Sequence, residues 1–116
     1  FVPHKQLPKY YQMADIFVSF SYHDVWGYTI AEAAASGLPI ITTEAVASAK
    51  NFVINNFNGF INPPGDINAL KLSLVQLIKN ERLRKEFAQN ATKIIGKWTN
   101  NRTYLSYLKA MKSLLE

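Results

Sequence analysis

Hydrophobic and polar positions divide the chain into two textures that meet at Pro63-Pro64-Gly65-Asp66. Before this point, short apolar runs alternate with small helical patterns. "DIFVSF" (15–20) and "PIITT" (39–43) are rich in β-branched or aromatic residues and read as buried strands. "NGFINP" (58–63) is a third, shorter strand opened by an Asn-Gly turn signal, and "FVP" (1–3) reads as the end of a fourth. Between them "LPKYYQMA" (7–14), "TIAEAAAS" (29–36) and "SAKNFVIN" (48–55) read as helices. Strands alternating with helices, with near-continuous apolar strand sequences, predict an α/β fold with a Rossmann-like parallel sheet covered on both faces. Beyond Asp66, which suits a helix N-cap, the spacing is helical throughout. Ile67, Leu70, Leu74, Leu77 and Ile78 mark one helix. Leu83, Phe87, Ala91, Ile94, Ile95 and Trp98 mark a second, and Tyr104, Leu108, Met111 and Leu115 a third. The breaks fall near Asn80 and at Thr99-Asn100-Asn101. The whole is read as a single domain, 1–116, with an α/β part (1–65) and a helical closing segment (66–116).

Charge changes the picture little. Residues 1–66 carry three bases and five acids, a net −2, whereas residues 67–116 carry ten bases and three acids, a net +7, so the positive charge sits on the helical half. A solvated helical face is the simpler reading. The alternative is attraction to an anionic membrane surface or a phosphorylated ligand. Dispersed charge without a helix-turn-helix or RNA-binding aromatic signature argues against nucleic acid. The chain has no cysteine, which excludes a disulfide scaffold and a Cys-based zinc site and fits a reducing compartment. The apolar runs are far shorter than the ~20 residues of a transmembrane helix, and no secretory leader is evident. The opening on Phe-Val-Pro-His, without an initiator Met, is what an excised piece of a longer protein would show.

The chemistry concentrates in residues 21–44. Ligands of open parallel sheets bind beyond the carboxyl ends of the strands. The strand at 15–20 ends near Ser21, and the following helix starts between Gly27 and Thr29. A helix start offers unpaired N–H groups and the positive end of a dipole, and Gly27 permits close approach, so this turn suits a phosphate or diphosphate. Two acids flank it. Asp24 lies in the loop and Glu32 about one turn into the helix. Such acceptors suit hydroxyl groups on either side of a diphosphate, the layout of a nucleotide sugar. The bland alternative has Asp24 capping the helix and Glu32 exposed in its first turns, and spacing alone favours that alternative.

The sequence "DVWGYTIAEAAASGLPIITT" resembles the sugar-donor signature of retaining GT-B glycosyltransferases (glycosyl transferases group 1), Glu-x-Phe-Gly-x-x-x-x-Glu-Ala-x-Ala-x-Gly-x-Pro-Val-Ile. Asp24, Trp26, Gly27 and Glu32 stand at the first acid, the aromatic, the glycine and the second acid, and Ala33, Ala35, Gly37, Pro39 and Ile41 also match. The flanks "FVPHKQLPKYYQMADIFVSFS", "NNFNGFINPPGDINAL" and "LIKNERLRKEFAQNA" resemble neighbouring patterns of the same family in the right order, so the likeness covers about residues 1–98. It implies the later part of a GT-B C-terminal domain, followed by C-terminal helices. It further implies a hexosyltransferase-type enzyme that moves a sugar from a nucleotide sugar to a glycan or lipid-linked acceptor, as in polysaccharide biosynthesis. Asp24 is then assigned to the sugar as the catalytic-site acid. Trp26, Gly27, Tyr28 and Thr29 line the donor site, with the backbone of Gly27–Thr29 on the diphosphate, and Glu32 takes the ribose hydroxyls. Catalysis would consist of stabilising the departing diphosphate and an oxocarbenium-like sugar, without a metal or other cofactor. The implied location is cytoplasmic, with peripheral contact to the inner face of a membrane through the basic helices as a further expectation.

Three departures stand out. Asp24 is one methylene shorter than the usual Glu, Phe20 replaces a Pro, and "TEAVASAKNFV" (43–53) lacks the usual Gly-rich turn, with Asn51 near an expected acid. Lys50 there is read as a surface lysine rather than a phosphate or sugar contact. The adjacent His23 and the distant His4 form no evident pair. The acceptor half and the early strands of a GT-B enzyme, with their phosphate-gripping bases, have no counterpart here. The chain alone is therefore expected to be inactive in transfer, and a cut sheet edge would favour self-association. The alternative function is a non-catalytic nucleotide or nucleotide-sugar-binding module of the same fold.

Overall fold

A computed structural model of the protein describes residues 2–99. A 3-10 turn (His4–Gln6) leads into α1 (Leu7–Gln12), followed by β1 (Phe17–Ser19), α2 (Tyr28–Ala35), β2 (Ile40–Thr43), α3 (Ala49–Phe52), β3 (Gly59–Asn62), α4 (Ile67–Lys79) and α5 (Glu81–Thr99). The three strands form a parallel sheet in the order β1-β2-β3. Phe17 is opposite Ile40, and Ile41 is opposite Phe60. The α/β reading and the parallel sheet hold, with helical segments joining successive strands.

Strand geometry explains how the sheet is covered. Side chains alternate between faces along a strand, and Ile40 and Ile41 enter separate cores. Ile40 packs with Ile30, Ala33, Ala34, Leu38, Val46 and Phe52, the side of α2 and α3. Ile41 packs with Phe60, Leu77 and Phe87, the side of α4. Helix α5 serves both, through Ala91 in the first core and Phe87 in the second. The alanines of α2 matter here, because short side chains let the helix lie close: Ala33 and Ala34 are fully buried. Further ties are polar. Trp98 Nε1 donates to the Asn51 carbonyl at 3.2 Å while its ring packs on Phe52. Asn90 Nδ2 donates to the Phe57 carbonyl at 2.8 Å. The buried Asn62–Ser73 side-chain pair joins β3 to α4.

Several expectations need correction. Val2 and Pro3 belong to no strand, and Phe1 lies outside the described residues. β1 is shorter and less buried than "DIFVSF" suggests: it lies at an edge of the described sheet, with Val18 exposed. Helix α3 is a single turn rather than 48–55. Ile67 and Ile78 face solvent instead of the core, because α4 turns the Leu70, Leu74 and Leu77 side of its surface to the sheet and α5 and leaves the rest to water. Asp66 does cap α4, its Oδ1 accepting the Ala69 N–H at 2.9 Å. The Asn58-Gly59 pair is not a turn tip. Asn58 is fully buried, accepts the Ile54 N–H at 2.7 Å and donates to the Phe52 carbonyl at 2.8 Å, which fastens the loop between α3 and β3. Gly59 opens β3 because the strands leave no room for a side chain there: a Cβ would lie 2.1 Å from the Ile40 carbonyl oxygen. The third helix read at 104–115 lies outside the described residues.

Candidate active site at the start of α2

Past the ends of β1 and β2 the two chain segments stay paired. Asp24 N–H donates to the Ala45 carbonyl and Ala47 N–H to the Asp24 carbonyl, each at 3.2 Å, making an isolated parallel bridge between Asp24 and Val46. Ser48 N–H continues the run to the Trp26 carbonyl at 3.1 Å. Thr43 Oγ1 begins it, donating to the Ser21 carbonyl at 2.7 Å. Segment 43–48 is thus the bed on which the 21–27 loop lies. Of the Ala and Ser residues that replace the expected glycines, Ser48 and Ala49 are buried, Ala45 is half-buried and Ala47 is exposed, while Val46 between them is fully buried.

This bed fixes the first turn of α2. Gly27 is the N-cap in a left-handed conformation, φ 70° and ψ 64°, and no side chain caps the helix. The need for glycine is double. An L residue is strained at this φ, and a Cβ would meet Ser48 Oγ and Val46 Cγ1 at 3.1 Å and Asp24 Oδ2 at 3.2 Å. Ser48 Oγ donates to the Gly27 carbonyl at 2.9 Å. Asp24 is not the helix cap: its Oδ1 accepts the Trp26 N–H at 3.1 Å, a turn within the loop, and Oδ2 lies 3.2 Å from where a side chain on Gly27 would begin. The structure therefore brings Asp24, Trp26 and Gly27 together. Tyr28 and Thr29, both exposed, follow in the first turn, and the Trp26 and Tyr28 rings meet edge to face at 6.2 Å.

Glu32 stands apart from this group, one turn along α2 and beside α1. It is half-buried rather than exposed, and its Oε2 accepts the Tyr11 hydroxyl at 2.7 Å. Burial first, then the hydrogen bond to Glu32 and its negative charge, push the Tyr11 hydroxyl well above the ordinary phenol range, so it stays a proton donor. A cleft of about 260 Å³ opens here, lined by His4, Leu7, Pro8, Tyr11, Glu32, Ala35 and Ser36. Sequence reasoning missed Tyr11 and Ser48. Each acts across 21 positions of sequence, and no local pattern carries such a contact. His23 and Lys50 are exposed, and neither is drawn into a polar cluster.

The helical half contributes less chemistry than its charge suggested. Arg84 Nη1 donates to the Leu77 and Ile78 carbonyls at 2.7 and 2.8 Å, closing the end of α4. Lys85 pairs with Glu81 at 2.9 Å on the surface of α5. No described helix is long and apolar enough to cross a membrane.

Solved structures share this fold. Sucrose-phosphate synthase from Thermosynechococcus elongatus superimposes with a TM-score of 0.82 at 25% identity, over 98% of this chain and 28% of that one. The C-terminal domain of a glycosyl transferase group 1 family protein from Francisella tularensis does so with a TM-score of 0.75 at 26% identity, over 84% of this chain and 49% of that one. The fold is thus the α/β architecture of GT-B glycosyltransferases. Residues 1–94 match the family Glycosyl transferases group 1, and the chain belongs to that family. Among its relatives, a probable sucrose-phosphate synthase 2 from Oryza sativa subsp. japonica is 32% identical over 96% of this chain. A poly(glycerol-phosphate) alpha-glucosyltransferase from Bacillus subtilis is 24% identical over 91%. The chain spans 12% and 16% of those two proteins' lengths.

Proposed function

We propose that the chain is the donor-binding part of a retaining, nucleotide-sugar-dependent glycosyltransferase that acts on a glycan or lipid-linked acceptor. The observation that carries this reading is the start of α2. It is left-handed at Gly27 and capped by no side chain, it lies beyond the carboxyl ends of a parallel sheet, and it has Asp24 on one side and Glu32 on the other. Main-chain N–H groups and the helix dipole there favour a diphosphate. Asp24, tied to the same turn, would accept hydrogen bonds from sugar hydroxyls, and Glu32, in its cleft, from the ribose.

In this reading the residues have separate tasks. The turn at Gly27–Thr29 binds the leaving diphosphate and stabilises the charge that grows on it as the glycosidic bond breaks. Asp24 orients the sugar and offers negative charge near an electron-poor anomeric carbon. Trp26 supplies its backbone to the turn and its ring to the site wall. No metal or cofactor is assigned a role. Family membership supports the reading, as does a pneumococcal O-GlcNAc transferase of similar fold whose structure holds UDP and GlcNAc.

Calorimetric titration with UDP- and ADP-sugars tests it, comparing wild type with Asp24→Ala and Glu32→Ala. Loss of a charge-assisted hydrogen bond should weaken binding by about tenfold or more in each variant. Equal binding by all three proteins would sink the proposal.

A further inference from the structure

The Tyr11–Glu32 contact ties α1 to α2 and also orients a carboxylate. Glu32 is half-buried on α2, where water can reach its carboxylate, and an exposed Glu on a helix ordinarily rotates freely about three torsions. Here Oε2 is occupied by a 2.7 Å hydrogen bond from a short helix whose other contacts are few, and among the described residues no other hydrogen bond reaches the carboxylate. The Tyr11 ring is itself held, half-buried against the first core with its centroid 6.1 Å from that of Phe17. A fixed ring thus fixes a hydroxyl, and the hydroxyl fixes a carboxylate.

The surroundings tell what the fixed carboxylate faces. Leu7, Pro8 and Ala35 give the cleft beside it apolar walls, while Tyr11, Glu32, His4 and Ser36 supply its polar groups. Its volume of about 260 Å³ is below the ~300 Å³ lower end of ordinary small-molecule sites. It suits one portion of a ligand, a sugar ring or a nucleoside, rather than a whole nucleotide sugar. An oriented carboxylate accepts hydrogen bonds from a vicinal diol in a way that a freely rotating one does only at an entropic cost.

Building on the reading of Glu32 as the ribose acceptor, we propose that Tyr11 is a positioning residue that locks the Glu32 carboxylate against the cleft and thereby makes the site select ribonucleotides over 2′-deoxyribonucleotides. Tyr11 touches no ligand in this scheme; it acts through Glu32. Its hydroxyl remains protonated at any physiological pH, so the lock is permanent rather than switched. The phenol donates its hydrogen bond to Oε2 and so leaves Oε1 as the acceptor for the diol.

The test is titration of the 116-residue protein with UDP, ADP and their 2′-deoxy counterparts, for wild type, Tyr11→Phe and Glu32→Gln, with thermal unfolding of each. Tyr11→Phe keeps the ring on Phe17 and removes a single oxygen. The expected result is that wild type prefers the ribo form by about tenfold, the strength of one hydrogen bond to a charged group. Tyr11→Phe should lose most of that preference while binding the deoxy form as wild type does. Three results would overturn the proposal. If Tyr11→Phe keeps the preference and Glu32→Gln loses it, Tyr11 has no positioning role while Glu32 keeps its own. If Tyr11→Phe lowers the melting temperature and weakens ribo and deoxy forms alike, its role is only structural. If wild type shows no preference, or Glu32→Gln retains it, the assignment of Glu32 to ribose fails as well.

Discussion

Ser48 lies 21 positions from Gly27 in sequence, yet its Oγ donates to the Gly27 carbonyl at 2.9 Å. That carbonyl also accepts the Ile30 N–H at 3.1 Å, the first intrahelical bond of α2. One oxygen thus receives both the helix and the loop beneath it. Ser48→Ala should cost about 1 kcal/mol of stability, the net worth of a buried hydrogen bond, and should weaken nucleoside diphosphate binding because the turn is no longer pinned. Denaturant unfolding and calorimetry check the two effects. A Ser48→Ala protein of unchanged stability and unchanged affinity would show that the bond does not hold the turn. Gly27→Ala should be worse. The left-handed φ adds about 1–2 kcal/mol to the contacts at 3.1 Å, and nucleoside diphosphate binding should be lost.

Gly59→Ala is expected to prevent folding. Its Cβ would fall 2.1 Å from the backbone oxygen of Ile40, so the β2–β3 ladder itself would have to open. The cost should reach or exceed the upper end of overpacking, about 3 kcal/mol. Circular dichroism of the purified variant reads this directly; native-like helix and strand signals with a wild-type melting temperature would contradict it.

The raised Tyr11 hydroxyl makes a prediction in pH. A group whose pKa is higher folded than unfolded stabilises the fold while protonated in both states, and loses that contribution once the unfolded form ionises first. The unfolded phenol ionises near pH 10. The stability difference between wild type and Tyr11→Phe should therefore be constant below about pH 10 and shrink above it. Urea unfolding of both proteins from pH 8 to 11 tests this. A difference that grows with pH would reverse the sign.

Thr42 is fully buried in the middle of β2, and its hydroxyl has no hydrogen-bond partner among the described residues. An unpaired buried hydroxyl costs about 1–3 kcal/mol, and a same-shaped apolar side chain removes that cost. Thr42→Val keeps the β-branch that suits a strand. It should raise the melting temperature by several degrees, on the order of 4–8 °C per kcal/mol for a domain of this size. A lower melting temperature would mean that the hydroxyl is satisfied in solution.

Some local readings held. Asp66 after two prolines and a glycine does cap α4, and the Gly27 turn does begin a helix. Apolar strands alternating with helices do make a parallel sheet. Where the reading failed, the missing information was the neighbour. Ile67 and Ile78 stand at helical spacing with Leu70, Leu74 and Leu77, and only the layer against which α4 rests decides that they stay exposed. "FVP" has strand-like residues, yet described Val2 and Pro3 pair with nothing in the sheet.

The candidate site divides in the same way. The sequence by itself determined which residues form the turn: an acid, an aromatic, a glycine and the helix they open, since these depend on backbone conformation within a few positions. Only the tertiary structure decided how the two acids are held. Asp24 turns its carboxylate to the Trp26 N–H, and segment 43–48 supports the loop from below. Glu32 faces its cleft because Tyr11, brought up by α1, takes one of its oxygens. Backbone preference is local and leaves its mark in adjacent residues. Hydrogen bonds between side chains 21 positions apart depend on how helices and loops pack over a sheet, and that packing exists only once the chain has folded.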